Sequence, residues 1–549
     1  MNVTDRLSRK LFTARTLAGA GIVTPTRPDR ILKAVRALHA FGPTPAAGYT
    51  VSAIRHPDAT ALVDDLGTLT FAEVQRRTNA LANSLRARGI GEGSSVAIMC
   101  RNHRGFIDTT VALSKLGAHA LYLNTAFAGP QITEVAEREQ PTAIVYDAEF
   151  ENLVRDAGQG RKRFIAWHDA DEPSEDPRLE DLIRTGDTSD LEAPGRKGRV
   201  VILTSGTTGS PKGAQRRQPE SLDPAAALFS MIPLRAREHT MLAAPMFHSW
   251  GFAHFTLGMA LSSTLVMRRK FDPEDTLSAM AQHECTALVV VPVMLQRMLE
   301  LPAETIERYD LRALRVIAAS GSALPGALAL RVMDRFGDVL YNLYGSTEVA
   351  WATIATPKDL REAPGTAGRP PRGTVVKLLD ENGQEVGKGE TGRIFVGNEM
   401  AMDGYTGGGG KQVVGGLMSS GDVGHFDDQG RLFVAGRDDE MIVSGGENVF
   451  PREVEDLLAG HHAVSEVAVV GVDDEQFGQR LRAFVVLESG HDASADELQD
   501  HVKANLARYK VPREVVFLDE LPRNATGKVL KKDLKEYDAD GEPEAGGDS

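Results

Sequence analysis

Residues 199–217 read RVVILTSGTTGSPKGAQRR. An apolar, β-branched run stops at Thr204, and three glycines, four hydroxyl side chains between Ser205 and Ser210, a proline and Lys212 follow. Glycines free the backbone so that N–H groups converge on an anion, hydroxyls add donors, and the lysine adds charge. Such a loop is expected to be neither a helix nor a strand. It fails the P-loop pattern G-x-x-x-x-G-K-[ST]. Counting from Gly206, the sixth position is Pro211, and Gly213 follows Lys212. Taken alone, the stretch is also compatible with a plain glycine-rich surface turn.

Further stretches downstream carry reactive residue types. PMFHSWG places His248 beside aromatic residues, and AASGSALPG ends an apolar run in small residues. NLYGSTE carries Tyr344, Gly345, Ser346, Thr347 and Glu348. SSGDVG sets Asp422 in a turn, GRDDEMIVSGGENVFP offers Arg437 and paired glycines, and LPRNATGKVLKK holds Lys528. Each has an ordinary reading by itself: a core histidine, a solvated glutamate, a turn-capping aspartate, a solvated lysine.

The elements that must position these residues alternate between about 50 and 430. SSVAIMC precedes RGFIDTTVALSKLG, TAIVYD precedes AEFENLVRDAG, TALVVVP precedes VMLQRMLELP, and RVIAASG precedes GALALRVMDRFG. Short β-rich runs before longer helical patterns indicate α/β units with buried, largely parallel strands. Glycine then thickens through MDGYTGGGGKQVVGGLMSSGDVG, which reads as turns and short hairpins. Beyond it the pattern restarts as an α+β module of ~110 residues. Its first helix begins at Pro451, and a later one carries a capping-box pattern from Ser494 to Glu497. A boundary falls near Asp438 and Asp439.

The chain has 549 residues, 42% hydrophobic and 25% charged, so two to four structural units are expected. Its net charge of −14 argues against broad nucleic-acid binding. Two distant cysteines, Cys100 and Cys285, suggest a reducing compartment. No apolar run reaches the ~18 residues of a membrane span, and no secretory leader is apparent, so a cytoplasmic address is expected. Residues 1–48 carry eight Lys or Arg against Asp5 and Asp29, with Leu7, Leu11, Leu32, Val35 and Leu38 at helical spacing. Such a basic amphipathic segment either lies on an acidic membrane or packs on the main body, the second being the commoner case. The acidic end, residues 536–549, is expected to be disordered.

In their order and spacing, TSGTTGSPKG, YGSTE, SGD, GRDDE and PRNATGK make residues 50–535 resemble the adenylate-forming enzymes. These are the acyl-CoA synthetases, firefly luciferase and the adenylation domains of peptide synthetases. The likeness is greatest to bacterial fatty-acyl-CoA synthetases. It implies a large α/β domain with stacked, mixed sheets (49–438) and a small mobile α+β domain (439–535). It also implies two half-reactions: a carboxylate and ATP give acyl-AMP and pyrophosphate, then coenzyme A gives acyl-CoA and AMP. ATP, Mg²⁺ and coenzyme A are the implied small molecules, with a fatty acid as substrate. A homodimer is a further partner expectation, and peripheral membrane contact through residues 1–48 another.

The resemblance assigns roles residue by residue. Thr204, Ser205, Gly206, Thr207, Thr208, Gly209 and Lys212 would hold the β- and γ-phosphates. Glu348 would bind Mg²⁺, Thr347 would touch the α-phosphate, and Tyr344, with Gly345 and Ser346, would receive the adenine. Asp422 would accept from both ribose hydroxyls, and Arg437 would pair with ribose or phosphate. Lys528 would meet the α-phosphate and the attacking carboxylate. His248, Trp250, Phe252, Ser320, Gly321 and Ala323 would surround the acyl group. Asp439 would be the hinge, and Ser444, Gly445, Gly446 and Glu447 would build the thiol tunnel. One departure stands out. Met418 and Ser419 occupy positions before Asp422 where many relatives carry a bulky or charged residue. A ligase that loads a carrier protein, an aryl or short-chain acid–CoA ligase, and a non-catalytic nucleotide-binding protein are the competing readings.

Overall fold

The computed structural model describes residues 3–24, 26–169, 175–204, 212–216, 221–406, 408–444, 447–474, 478–524 and 527–537. Two large sheets dominate the first 400 residues. In one, five parallel strands run in the order Val200–Thr204, His119–Tyr122, Ser95–Met99, Ala143–Asp147, Lys162–Trp167. Strands Lys212–Arg216 and Met402–Tyr405 extend its Val200–Thr204 edge antiparallel. Thr204 faces Lys212 in that pairing.

The second sheet has eight strands. Six are parallel, in the order Leu340–Ser346, Val316–Ala319, Ala287–Val290, His239–Leu242, Thr264–Val266, Thr60–Asp64. Ala350–Ala355 and Gly67–Thr70 close the edges antiparallel. Strands such as ALVV and VIAA are buried along their whole length, because helices or the other sheet cover both faces. That explains their continuous apolar runs. The largest core cluster joins both sheets through Tyr49, Phe71, Phe106, Tyr122 and Phe255.

The glycine-rich stretch is more ordered than its composition suggests. Leu417–Phe426 pairs with Gly392–Gly397, Val413–Val414 and Leu432–Arg437 in a third, antiparallel sheet of five strands. Strong glycine content hid the period-2 alternation that a half-buried strand needs.

The strand Leu432–Arg437 belongs to this third sheet, and the next strand, Ile442–Ser444, belongs to a fourth. The short 3-10 turn Asp438–Glu440 lies between them. The fourth sheet is built on the antiparallel pair Val464–Asp474 and Gly478–Leu487, with helices Pro451–Ala459 and Ala495–Asn505 over its own core. Ser494 caps the second helix, its side chain accepting from the Glu497 backbone N–H. Three helices begin the chain: Val3–Gly19, Pro28–Phe41 and Pro45–Arg55. The first is pinned to the body by Arg9, which pairs with Asp223 and Glu399, and by Phe12 beneath the Arg372 guanidinium at 4.4 Å.

Candidate active site

Four neighbouring parallel strands of the eight-stranded sheet release their chain at the same end. His239–Leu242 leads to His248, Ala287–Val290 to Pro292, Val316–Ala319 to Ser320, and Leu340–Ser346 to Thr347 and Glu348. The C-terminal ends of parallel strands are where open α/β sheets collect ligands. A cavity of about 1090 Å³ lies there, lined by Lys212, His248, Trp250, Ser320, Tyr344, Glu348, Asp422, Arg437 and Lys528, among others.

Backbone geometry forms part of the wall. Gly321 has φ +97, a conformation that side chains disfavour, and lets the loop after Ala319 turn against Val291. At Gly345 the strand bulges against its neighbour. A Cβ there would lie 1.9 Å from the Ala350 carbonyl oxygen, so only glycine fits between Tyr344 and Ser346. This bulge turns Thr347 and Glu348 toward the cavity.

One polar corner joins the eight-stranded sheet to the third. Tyr344 donates from Oη to Asp422 Oδ2 at 2.5 Å, and the same Oη lies 3.1 Å from Ser420 Oγ. Asp422 sits opposite Arg437 in the strand pairing, and Arg437 Nη1 is 3.5 Å from Asp422 Oδ1. Burial pushes the Asp422 carboxyl up from its ordinary range, while the Tyr344 hydrogen bond, Arg437 and Lys528 oppose that shift. Burial, with the Asp422 charge, also holds the Tyr344 phenol well above its usual value. Tyr344 is thus a committed donor and Asp422 a well-supported acceptor.

A second corner surrounds Glu348. Tyr405 donates from Oη to Glu348 Oε1 at 2.9 Å, and Lys212 Nζ stands 5.7 Å from the centre of the Tyr405 ring. The pairing of Met402–Tyr405 with Lys212–Arg216 brings these groups together. Burial and the Glu348 charge raise the Tyr405 phenol, so it remains a donor. Glu348 Oε2 has no hydrogen-bond partner among the described residues. A half-buried carboxylate with one oxygen held and one open fits a hard dication carried on phosphate oxygens. Thr347 bonds Ser249, Oγ to Oγ, at 3.0 Å.

Lys528 approaches from the small domain. Its loop is closed by Asn524, which accepts the Lys528 N–H at 3.0 Å and donates its own N–H to the Lys528 carbonyl at 2.9 Å. Gly527 packs so tightly on Val293 that a Cβ would come within 2.4 Å of its Cγ1. Gln296 donates to Ser465, and Arg452 to the Leu324 carbonyl, so the two domains share direct bonds in this arrangement. Lys531 is held between Glu455 at 2.7 Å and Glu440 at 3.6 Å beside the same cavity.

The helix Ser249–Leu261 carries the cavity away from the polar corners. Ser249, Trp250, Ala253, Thr256, Leu257 and Ala260 line it at the i, i+3, i+4 spacing of one helix face. The other face, including His254, Phe255 and Gly258, is buried in the core. Trp250 is fixed by its Nε1 donating to the Val290 carbonyl at 3.1 Å. Phe252 packs between Tyr122 and Phe255 and also reaches the cavity.

The structure therefore brings Lys212, His248, Trp250, Phe252, Ser320, Gly321, Ala323, Tyr344, Gly345, Ser346, Thr347, Glu348, Asp422, Arg437 and Lys528 to one cavity. Ser205, Gly206, Thr207, Thr208 and Gly209 lie outside the described residues, as does the Thr204 side chain. Gly445 and Gly446 also lie outside them, with the side chains of Asp439, Ser444 and Glu447. Sequence reasoning missed Tyr405, Ser249 and Ser420. Tyr405 was findable as the lone aromatic ahead of GGGG; the other two depend on which strands become neighbours.

The AMP-binding enzyme family matches residues 49–406, and its C-terminal domain matches residues 453–528. An indoleacetate–CoA ligase of Aromatoleum aromaticum is 33% identical over 489 residues, covering 87% of this chain and 95% of the relative. A long-chain-fatty-acid–CoA ligase of Mycobacterium tuberculosis is 29% identical over 476 residues, covering 85% of this chain and 93% of the relative. Among solved structures, o-succinylbenzoate CoA synthetase of Bacillus subtilis with its acyl-adenylate intermediate superposes with a TM-score of 0.77 at 27% identity, covering 89% of this chain and 98% of that one. The same synthetase has been solved with ATP and magnesium.

Proposed function

Because the chain belongs to the AMP-binding enzyme family, we propose that this ATP-dependent acid–CoA ligase acts on elongated apolar carboxylic acids. The reaction passes through acyl-AMP. A carboxylate oxygen attacks the α-phosphorus of ATP, the bond to the bridging oxygen breaks, and pyrophosphate leaves. The thiol of coenzyme A then attacks the acyl carbon, loses its proton, and AMP departs.

The residues divide this work. Asp422 accepts from the ribose hydroxyls, with its acceptor form supported by Tyr344 and Arg437. The Tyr344 backbone and ring give the base a flat wall. Lys528 offers its ammonium to the oxygens that gain charge in the first step, and such a donor contributes about 10²–10³ in rate. Thr347, held by Ser249, would touch the α-phosphate. Glu348 is the residue that would hold Mg²⁺, which neutralises phosphate charge when bound. Lys212 adds a cation beside Glu348 for the pyrophosphate.

The observation behind the substrate class is the helix Ser249–Leu261. Its lining face rises from Ser249 to Ala260 by about 16 Å, room for roughly a dozen extended carbons. Leu228 and Phe229 also line the cavity and add apolar wall. Each methylene buried there contributes about 0.8 kcal/mol. A second reading, an aromatic acid, is supported by the indoleacetate–CoA ligase likeness. The test is product mass spectrometry with ATP, Mg²⁺, coenzyme A and a panel of straight-chain and aromatic acids. Preference rising with chain length supports the elongated acid. A preference for compact ring acids replaces it with the second reading.

A further inference from the structure

The cavity does not end at the family-matched part of the chain. Its far wall includes Leu17, Ile22, Leu38 and Pro43, all in the N-terminal segment that precedes residue 49. Leu38 and Leu222 line the cavity and are also 49% and 54% exposed, so they stand at a mouth.

The helix that carries Leu38, Pro28–Phe41, has three distinct faces. Ala34 and Ala37 are buried against the body. Ile31, Leu32, Val35 and Leu38 form a second stripe, and every one is about half exposed. Lys33 and Arg36 follow on a third side, exposed and without an ion pair among the described residues. Val23 and Leu11, more exposed still, belong to the same segment. Among the described residues, six of the twelve exposed large apolar side chains thus fall within the first 41 positions. The charge is just as uneven: the whole chain is −14, yet residues 1–48 carry eight Lys or Arg and two Asp.

We propose that the helix Pro28–Phe41 seats on an anionic lipid surface, with the cavity mouth at Leu38 and Leu222 opening toward it. An uncovered apolar stripe beside a basic one matches the two attractions that hold an amphipathic helix in a membrane interface. An elongated apolar acid dissolves in that same layer, so it reaches the cavity without crossing water. This purpose rests on the elongated-acid reading; the lipid binding does not.

The test uses the full chain with vesicles of phosphatidylcholine alone and of phosphatidylcholine with about one third phosphatidylglycerol. Sedimentation is expected with the anionic vesicles and to fall as salt rises, since Lys and Arg attraction is screened within about 10 Å at 0.1 M. Leu32→Glu with Val35→Glu, and separately Lys33→Glu with Arg36→Glu, are each expected to weaken partition at least ~10-fold. Both pairs are expected to keep wild-type kcat on a short water-soluble acid, since none of the four residues lines the cavity. No binding to anionic vesicles overturns the proposal, as does a dimer that forms through this stripe and is broken by the Glu pair. Loss of turnover on vesicle-borne acid alone, with the short acid unaffected, supports the entry route.

Discussion

Tyr344 and Asp422 lie 78 residues apart in the chain and 2.5 Å apart in space, Oη to Oδ2. One ends a parallel strand of the eight-stranded sheet, and the other sits within an antiparallel strand of the third sheet. This single bond couples the wall proposed for the base to the proposed ribose acceptor.

Tyr344→Phe removes that donor and leaves the packing of the ring. Hydrogen bonds to charged groups are worth ~1.5–3 kcal/mol, so the ATP KM is expected to rise about 10-fold or more. The pH dependence should move as well. Burial raises Asp422, and Tyr344 holds it down, so without the hydroxyl the carboxylate protonates at a higher pH. The acid limb of kcat/KM for ATP is expected to shift upward in the variant. An unmoved limb would separate Asp422 from nucleotide binding.

Lys528→Ala is expected to slow pyrophosphate release about 10²–10³-fold while supplied acyl-adenylate and coenzyme A are still joined. The small domain contributes Lys528 to the cavity in this arrangement. Equal loss of both half-reactions would mean that Lys528 serves binding or folding in general.

Ala253→Phe should shorten the preferred acid. Ala253 lies one turn beyond Trp250 on the lining face, and a ring there obstructs the path toward Leu257. Activity on short acids is expected to persist while longer ones lose kcat/KM by at least ~10-fold, the loss of two buried methylenes giving about that much. Uniform loss across the panel would place the chain elsewhere.

Lys115 makes a test of stability. It is almost fully buried, bonding Thr78 and Asn79 at 2.7 Å each, and burial pushes its pKa down to about 7. The unfolded chain keeps that proton to about pH 10.4. Between those values the unfolded state binds more protons, so stability is expected to rise with pH through this window. Below about 7 both states are charged and the dependence vanishes. Lys115→Met should flatten the slope of unfolding free energy against pH, read from urea titrations, whatever its effect on absolute stability. An unchanged slope would assign it to other groups.

The sequence by itself determined the α/β alternation, the order of the motifs and the restart beyond Asp438. Those features are local: a buried parallel strand is a short apolar run, and a helix repeats its apolar residues every three or four positions. The glycine-rich third sheet was legible only as turns and short hairpins, because glycine carries no side chain from which a strand face can be read. Tertiary structure alone decided that Tyr405 meets Glu348, that Ser249 meets Thr347, and that Tyr344 meets Asp422. Each contact depends on which strands become neighbours, and no spacing along the chain encodes that. The N-terminal helices show the same division. Their basic, amphipathic pattern was plain in the residues, but which face would pack was not. Only the fold shows that two alanines meet the body while Ile31, Leu32, Val35 and Leu38 stay uncovered. Close approach of the helix backbone requires small side chains, so the bulky ones were left outside.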